Sequence, residues 1–221
     1  MRLAPFFLGT ALAMTGQAQA ASYYLDQTNL EQAPFTDGPR YLAVTSVASG
    51  NDIQFTVDVR NGPGQPFESI EGSNFGIQQF GFNLANDNGA SLEADSFTGL
   101  PAGWNVDFNR TLNGFGRFDV VLSGTGSARQ APLTFNISDI VGDTPASYHA
   151  PSGGAGAVQG NAWYAAHVAG FTGPEQITSG FFGGGSGPGT APAPVPIPGA
   201  VWLFGSAVVG LGLVARRSRR V

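Results

Sequence analysis

Few side chains in this 221-residue chain could carry covalent chemistry. Cysteine is absent, which removes thiol catalysis, disulfides and cysteine-ligated zinc. Serines are plentiful, but a nucleophilic serine needs a base within reach, and His149 and His167 are the only imidazoles. No Gly-x-Ser-x-Gly elbow accompanies them. His167 lies beside Ala166 and Val168 in a strand-like apolar run, where a hydrogen-bonded structural histidine is the preferred reading. His149 follows Tyr148 in a stretch poor in large apolar residues and is expected to be exposed. Asp107 and Asp119 could face each other on neighbouring strands as a glycosidase pair. Each occupies an outward or strand-end position, so a solvated face is the preferred reading.

Two kinds of non-covalent site remain. Asn86-Asp87-Asn88-Gly89 and Glu93-Ala94-Asp95 gather hard oxygen ligands of the sort that hold calcium in loops of secreted domains. The same residues are ordinary turn formers and lack EF-hand spacing, so turn formation is preferred and no cofactor is required. Trp104, Trp163, Tyr148 and Tyr164 are candidate rings for a carbohydrate platform. Trp104 shares a strand phase with Val106 and Phe108 and is assigned to the core. Trp163 and Tyr164 are adjacent, so within a strand only one can face inward.

The elements that would position these residues read as strands. Ile53, Phe55, Val57 and Val59 alternate with polar residues from Asp52 to Arg60, the period of a half-buried strand. Tyr41 to Val47 precedes it across Ser49-Gly50-Asn51-Asp52, which predicts a hairpin. Further runs fall at Phe75–Leu84, Trp104–Phe108, Phe118–Leu122, Leu133–Ile137, Ala162–Phe171 and Gly180–Phe182. In the first of these the apolar phase switches, which predicts a bulge near Gln78-Gln79. Glycine or proline punctuates nearly every gap, and no helical periodicity is sustained. The fold class is therefore all-β, an antiparallel β-sandwich or jelly roll.

Both ends of the chain differ from this pattern. Met1-Arg2, an apolar stretch from Leu3 to Met14, and Ala18-Gln19-Ala20 before Ala21 form a secretory signal peptide over 1–20, with cleavage governed by Ala18, Ala20 and Ala21. The ectodomain is expected over 21–182. A Gly/Pro-rich linker follows over 183–194. At the far end, Val195-Pro196-Ile197-Pro198 leads into an uncharged run containing Trp202, and Arg216, Arg217, Arg219 and Arg220 close it. One C-terminal transmembrane helix is expected over 200–215, with the arginines held in the cytoplasm. The portion between the signals carries five arginines against all fifteen acids, a formal charge of −10. Nucleic acid is thereby excluded as an expected partner, since phosphate binding needs clustered positive charge.

The tail resembles the PEP-CTERM sorting signal of Gram-negative bacteria, in its VPLPA-type variant. The likeness rests on Val195, Pro196, Ile197, Pro198, Trp202, Arg216 and Arg217, with Ile197 standing where the name-giving motif has Glu. Stretches such as Gln79-Phe80-Gly81-Phe82-Asn83 and Leu100-Pro101-Ala102-Gly103-Trp104 resemble ectodomains that precede such tails. The resemblance implies export by the Sec machinery and a hold in the inner membrane by the tail. An exosortase-like membrane protease would then deliver the protein to the cell surface or extracellular space among exopolysaccharide; the tail is either cut or kept as an anchor. The expected function is that of a non-enzymatic surface or matrix protein. The alternative is a carbohydrate-binding module or weak glycan-active enzyme.

Overall fold

The computed structural model describes residues 20–85 and 92–184. The signal peptide up to Gln19, the turn at Asn86–Gly89, the linker beyond Gly184, the sorting motif and the expected helix over 200–215 lie outside the described residues. Among the described residues no helix is long and apolar enough to cross a membrane.

Among the described residues eleven strands build two antiparallel sheets. The first sheet runs β1 (Ala20–Leu25), β3 (Leu42–Ser49), β4 (Asp52–Val59), β9 (Leu133–Ile137) and β6 (Phe97–Thr98). The second runs β2 (Gln27–Thr28), β11 (Ser179–Gly183), β10 (Tyr164–Phe171), β5 (Glu71–Phe82), β8 (Gly116–Gly124) and β7 (Trp104–Leu112). The described residues are thus all-β, with two sheets arranged as a sandwich. The hairpin expected before Arg60 is β3–β4, paired from Leu42↔Val59 to Ser49↔Asp52. In β4 the four alternating apolar residues are all buried, while Gln54 and Asp58 face water.

Phenylalanine fills the interior. Phe55 and Phe135 are register partners on β4 and β9, and their rings stack with centroids 5.0 Å apart and planes 1° from parallel. From the facing sheet, Phe82 stacks on Phe55 at 5.6 Å. Such offset contacts add about 0.5–1.5 kcal/mol per pair beyond the area they bury. The bulge expected in β5 is present: His167 opposes Gln79 whereas Val168 opposes Ile77, leaving Gln78 as the extra residue.

Trp104 enters the core through a tight turn. The Trp104 N–H donates to the Pro101 carbonyl at 3.1 Å, and Gly103 between them has φ of 83°, a conformation open to glycine. The indole Nε1 then donates to the Ala128 carbonyl at 2.6 Å. Its register partner is Gly124, where an added Cβ would lie 2.6 Å from the ring.

Two expectations are corrected. Phe108, assigned to the core with Trp104 and Val106, is 38% exposed, because β7 is an edge strand whose middle residues Phe108–Thr111 face water. The stretch 142–161, whose lack of large apolar residues reads as a loose loop, is a loop pinned to the second sheet at several points. Beyond the 3-10 turn Pro145–Tyr148 it runs as a strap beside β8, with an isolated antiparallel bridge between Gly153 and Arg117. There Ser152 Oγ donates to the Phe115 carbonyl and accepts from the Ala162 N–H at 2.9 Å, and Arg117 N–H donates to Gly153 at 2.7 Å. A second small core of Leu112, Phe115, Phe118, Val121, Ala162 and Ala165 lies apart from the main one, with Phe181 packed against it. Both faces of β8 are consequently covered, which is why Val120, Val121 and Leu122 are buried in succession.

Candidate functional site

Strand β1 carries two consecutive tyrosines, and a strand sends consecutive side chains to opposite faces. Tyr23 points inward. Its hydroxyl lies 2.5 Å from His149 Nδ1, and the two rings meet edge to face at 4.2 Å. Trp163 and Tyr164 complete the group, with centroids 5.8 and 5.5 Å from Tyr23. His149 is only 9% exposed, contrary to the expectation of an exposed loop residue. The strap carries it into the gap between β1 and β10, and aromatic rings enclose it. Burial pushes its pKa down to about 4, so the ring is neutral near pH 7. Burial also raises Tyr23 and Tyr164 above the usual phenol range. His149 Nε2 and the Tyr164 hydroxyl are buried without a hydrogen-bond partner.

Tyr24 points outward. The Arg40 guanidinium carbon lies 4.2 Å from its ring centroid and that of Arg60 lies at 5.5 Å. Arg60 Nε donates to Gln65 Oε1 at 2.7 Å, which fixes that guanidinium on the strand end. Pro34, Pro39, Gly64 and Pro66 join Arg40, Arg60 and Gln65 around an open depression of about 470 Å³. Two of the domain's five arginines thus converge on one ring in a portion whose formal charge is −10.

The residues singled out from sequence are scattered. His167 is partly buried in β10 and stacks on Phe181 at 4.5 Å; burial and then the nearby Arg129 lower its pKa. Asp107 pairs in register with Val121 and not with Asp119. Asp119 is committed elsewhere: its Oδ2 accepts the Leu84 N–H at 3.0 Å while its own N–H donates to Asn83 Oδ1 at 2.9 Å. Glu93 and Asp95 border a shallow depression with Ser96, Thr98, Ser138 and Asp139. No cluster of three or more His, Cys, Asp or Glu side chains suited to a metal ion occurs among the described residues. Of the four candidate platform rings, Trp104, Tyr148 and Tyr164 are buried and Trp163 is half-buried against Tyr23 and His149. Tyr148 donates its hydroxyl to Asp143 Oδ2 at 2.5 Å; burial first, then the tyrosine's hydrogen bond in the opposite direction, shape a net upward shift of the Asp143 carboxyl.

Of the sorting and cleavage residues, Ala20 and Ala21 are placed in β1, opposite Val47 and Ser46. Ala18, Val195, Pro196, Ile197, Pro198, Trp202, Arg216 and Arg217 lie outside the described residues. Gly183, expected to open the linker, belongs to β11, where it pairs with Ala165 and a Cβ on it would lie 2.5 Å from the Phe115 ring. Sequence reasoning passed over Tyr24, Arg40 and Arg60. The available signal was the rarity of positive charge in this portion of the chain.

The site and fold therefore define an acidic antiparallel β-sandwich with one cationic, aromatic face patch. No family model, curated protein or solved structure matches the chain.

Proposed function

We propose that this chain is a non-enzymatic exported protein whose β-sandwich is displayed at the cell surface or in the extracellular matrix, routed there by its two terminal segments. One observation carries the reading. Paired strands occupy the interval expected for the ectodomain, from Ala21 opposite Ser46 in β1 to Phe182 opposite Ala166 in β11. Ala20, the last residue of the expected signal peptide, adds one further pair to β1, with Val47. An acidic, lysine-free surface is consistent with solubility outside the cell.

Deleting 195–221 tests the reading. The truncated protein is expected to change cell fraction while melting at the same temperature as the processed protein. Recovery of truncated and intact chains in the same fraction would sink the proposal. Mass spectrometry of the mature form reports both processing sites, with an N-terminus at Ala21 expected.

A further inference from the structure

We propose that the outer face of β1 and its flanking loops form a binding site for carboxylated saccharides, with Arg40 and Arg60 holding a uronate carboxylate beside the Tyr24 ring. The site deepens the reading of the chain as a protein displayed among polysaccharide and rests on it. Three observations converge on this place.

The first is the state of the two arginines. Arginine at a protein surface ordinarily pairs with a carboxylate, and this portion offers fifteen acids. Arg40 is exposed and lies over the Tyr24 ring; the Arg60 side chain donates to the neutral Gln65 amide. Among the carboxylates near them in sequence, Asp37 accepts the Thr28 N–H at 3.0 Å, Glu68 accepts the Gly64 N–H, Asp26 has a partner, and Asp58 is exposed two positions before Arg60. A guanidinium fork presents parallel donors that match a carboxylate.

The second is shape. The depression is open, with Pro34, Pro39 and Pro66 supplying apolar walls and Gln65 supplying an amide. Apolar ring faces accept the C–H face of a pyranose, while an amide suits its hydroxyls. An open trough also lets a chain continue beyond the bound sugar, whereas an enclosed pocket would select a free small molecule.

The third is the electrostatic setting. The surrounding domain repels polyanions, but at about 0.15 M salt that repulsion is screened beyond roughly 8 Å. A ligand can therefore place one carboxylate on the arginine pair while the domain's acids more than roughly 8 Å away are largely screened from it. The patch suits a carboxylate carried on a hydroxyl-rich backbone.

Calorimetric titration of the purified full-length chain with oligogalacturonate, with maltotriose as a neutral sugar and sodium sulfate as a simple anion, tests the site. Oligogalacturonate is expected to bind, maltotriose not to bind, and sulfate to bind far more weakly. Arg40→Gln and Arg60→Gln should each weaken oligogalacturonate roughly tenfold, as loss of a charge-assisted hydrogen bond would. Arg110→Gln, on the exposed edge strand, should leave affinity unchanged. The Arg40 and Arg110 variants should melt as the parent does, since those side chains are exposed, and the half-buried Arg60 variant close to it, having lost one hydrogen bond to Gln65. Absence of binding by the parent, equal affinity in the Arg40→Gln/Arg60→Gln double variant, or sulfate binding as tight as the uronate would each overturn the assignment. Because the titration uses purified protein, such a failure leaves the cellular location untouched, and a wrong location would leave the titration unchanged.

Discussion

Tyr23 and Tyr24 are neighbours on one edge strand, yet one faces an interior polar cluster and the other a solvent-facing cationic patch. Inside, Tyr23, His149, Trp163 and Tyr164 surround polar atoms with hydrophobic rings and leave two of them unpaired. Outside, Tyr24 supports two guanidinium groups, that of exposed Arg40 and that of Arg60, which donates to the neutral Gln65 amide. Burial makes an unpaired polar group costly and holds it in its neutral form. Exposure makes an unpaired charge cheap and available. The same residue type thus serves stability on one face of β1 and recognition on the other.

The comparison breaks first if the inner tyrosine proves dispensable. Tyr23→Ala removes ring contacts to His149, Trp163 and Tyr164 and deprives His149 Nδ1 of its partner. It should cost about 3 kcal/mol, whereas Tyr24→Ala should stay within about 0.5 kcal/mol. Chemical denaturation of the two variants, read by tryptophan fluorescence, measures both; equal losses would dissolve the distinction between the faces.

Acid titration comes next in size. The folded-state pKa of His149 is lowered from 6.5 to about 4 by burial, so the unfolded chain binds more protons between those values. The stability that His149 gains from remaining neutral is complete above about pH 6.5 and is lost as pH falls towards 4. The loss should reach roughly 2 kcal/mol, somewhat below the full shift because the ring keeps some contact with solvent. His149→Gln should flatten this acid limb relative to the parent. His167, also lowered, adds a smaller limb of the same sign that His167→Gln isolates. An unchanged slope in His149→Gln would place the proton uptake elsewhere.

How legible these features were follows from how many faces of each element are covered. In β4 one face is buried and one is wet, so alternation from Ile53 to Val59 reveals the strand, its face and its hairpin partner. In β8 a second small core covers the other face, and Val120-Val121-Leu122 no longer alternates. Strand β1 was missed because its residues Ala20–Leu25 adjoin the cleavage site and show no clear period. The short β2 and β6, two residues each, carry too little pattern to be read. His149 was misplaced for a related reason. Local composition around it is poor in apolar residues, and its burial is contributed by rings 126 positions earlier and about 14 later in the chain. The arginine patch was illegible in the same way: Tyr24, Arg40 and Arg60 meet only once β1, β3 and β4 are in register.

The smallest effect sharpens the comparison most, because its sign is opposite to intuition. Tyr164 is 1% exposed, stacks on Phe80 at 5.8 Å and buries a hydroxyl that has no partner. Its ring contributes packing, while its oxygen has exchanged water for nothing. Tyr164→Phe keeps the ring and removes the desolvated group, so the variant should equal the parent or gain up to about 1 kcal/mol. Tyr23→Phe removes a hydroxyl of the same kind from the same cluster, but that hydroxyl is paired, and its loss strands His149 Nδ1. It should cost about 1 kcal/mol. If instead Tyr164→Phe is destabilising by a similar amount, the Tyr164 hydroxyl has an enclosed water as its partner. The inner face of β1 would then be a satisfied polar network, and the contrast with the open cations around Tyr24 would lie in solvent access alone.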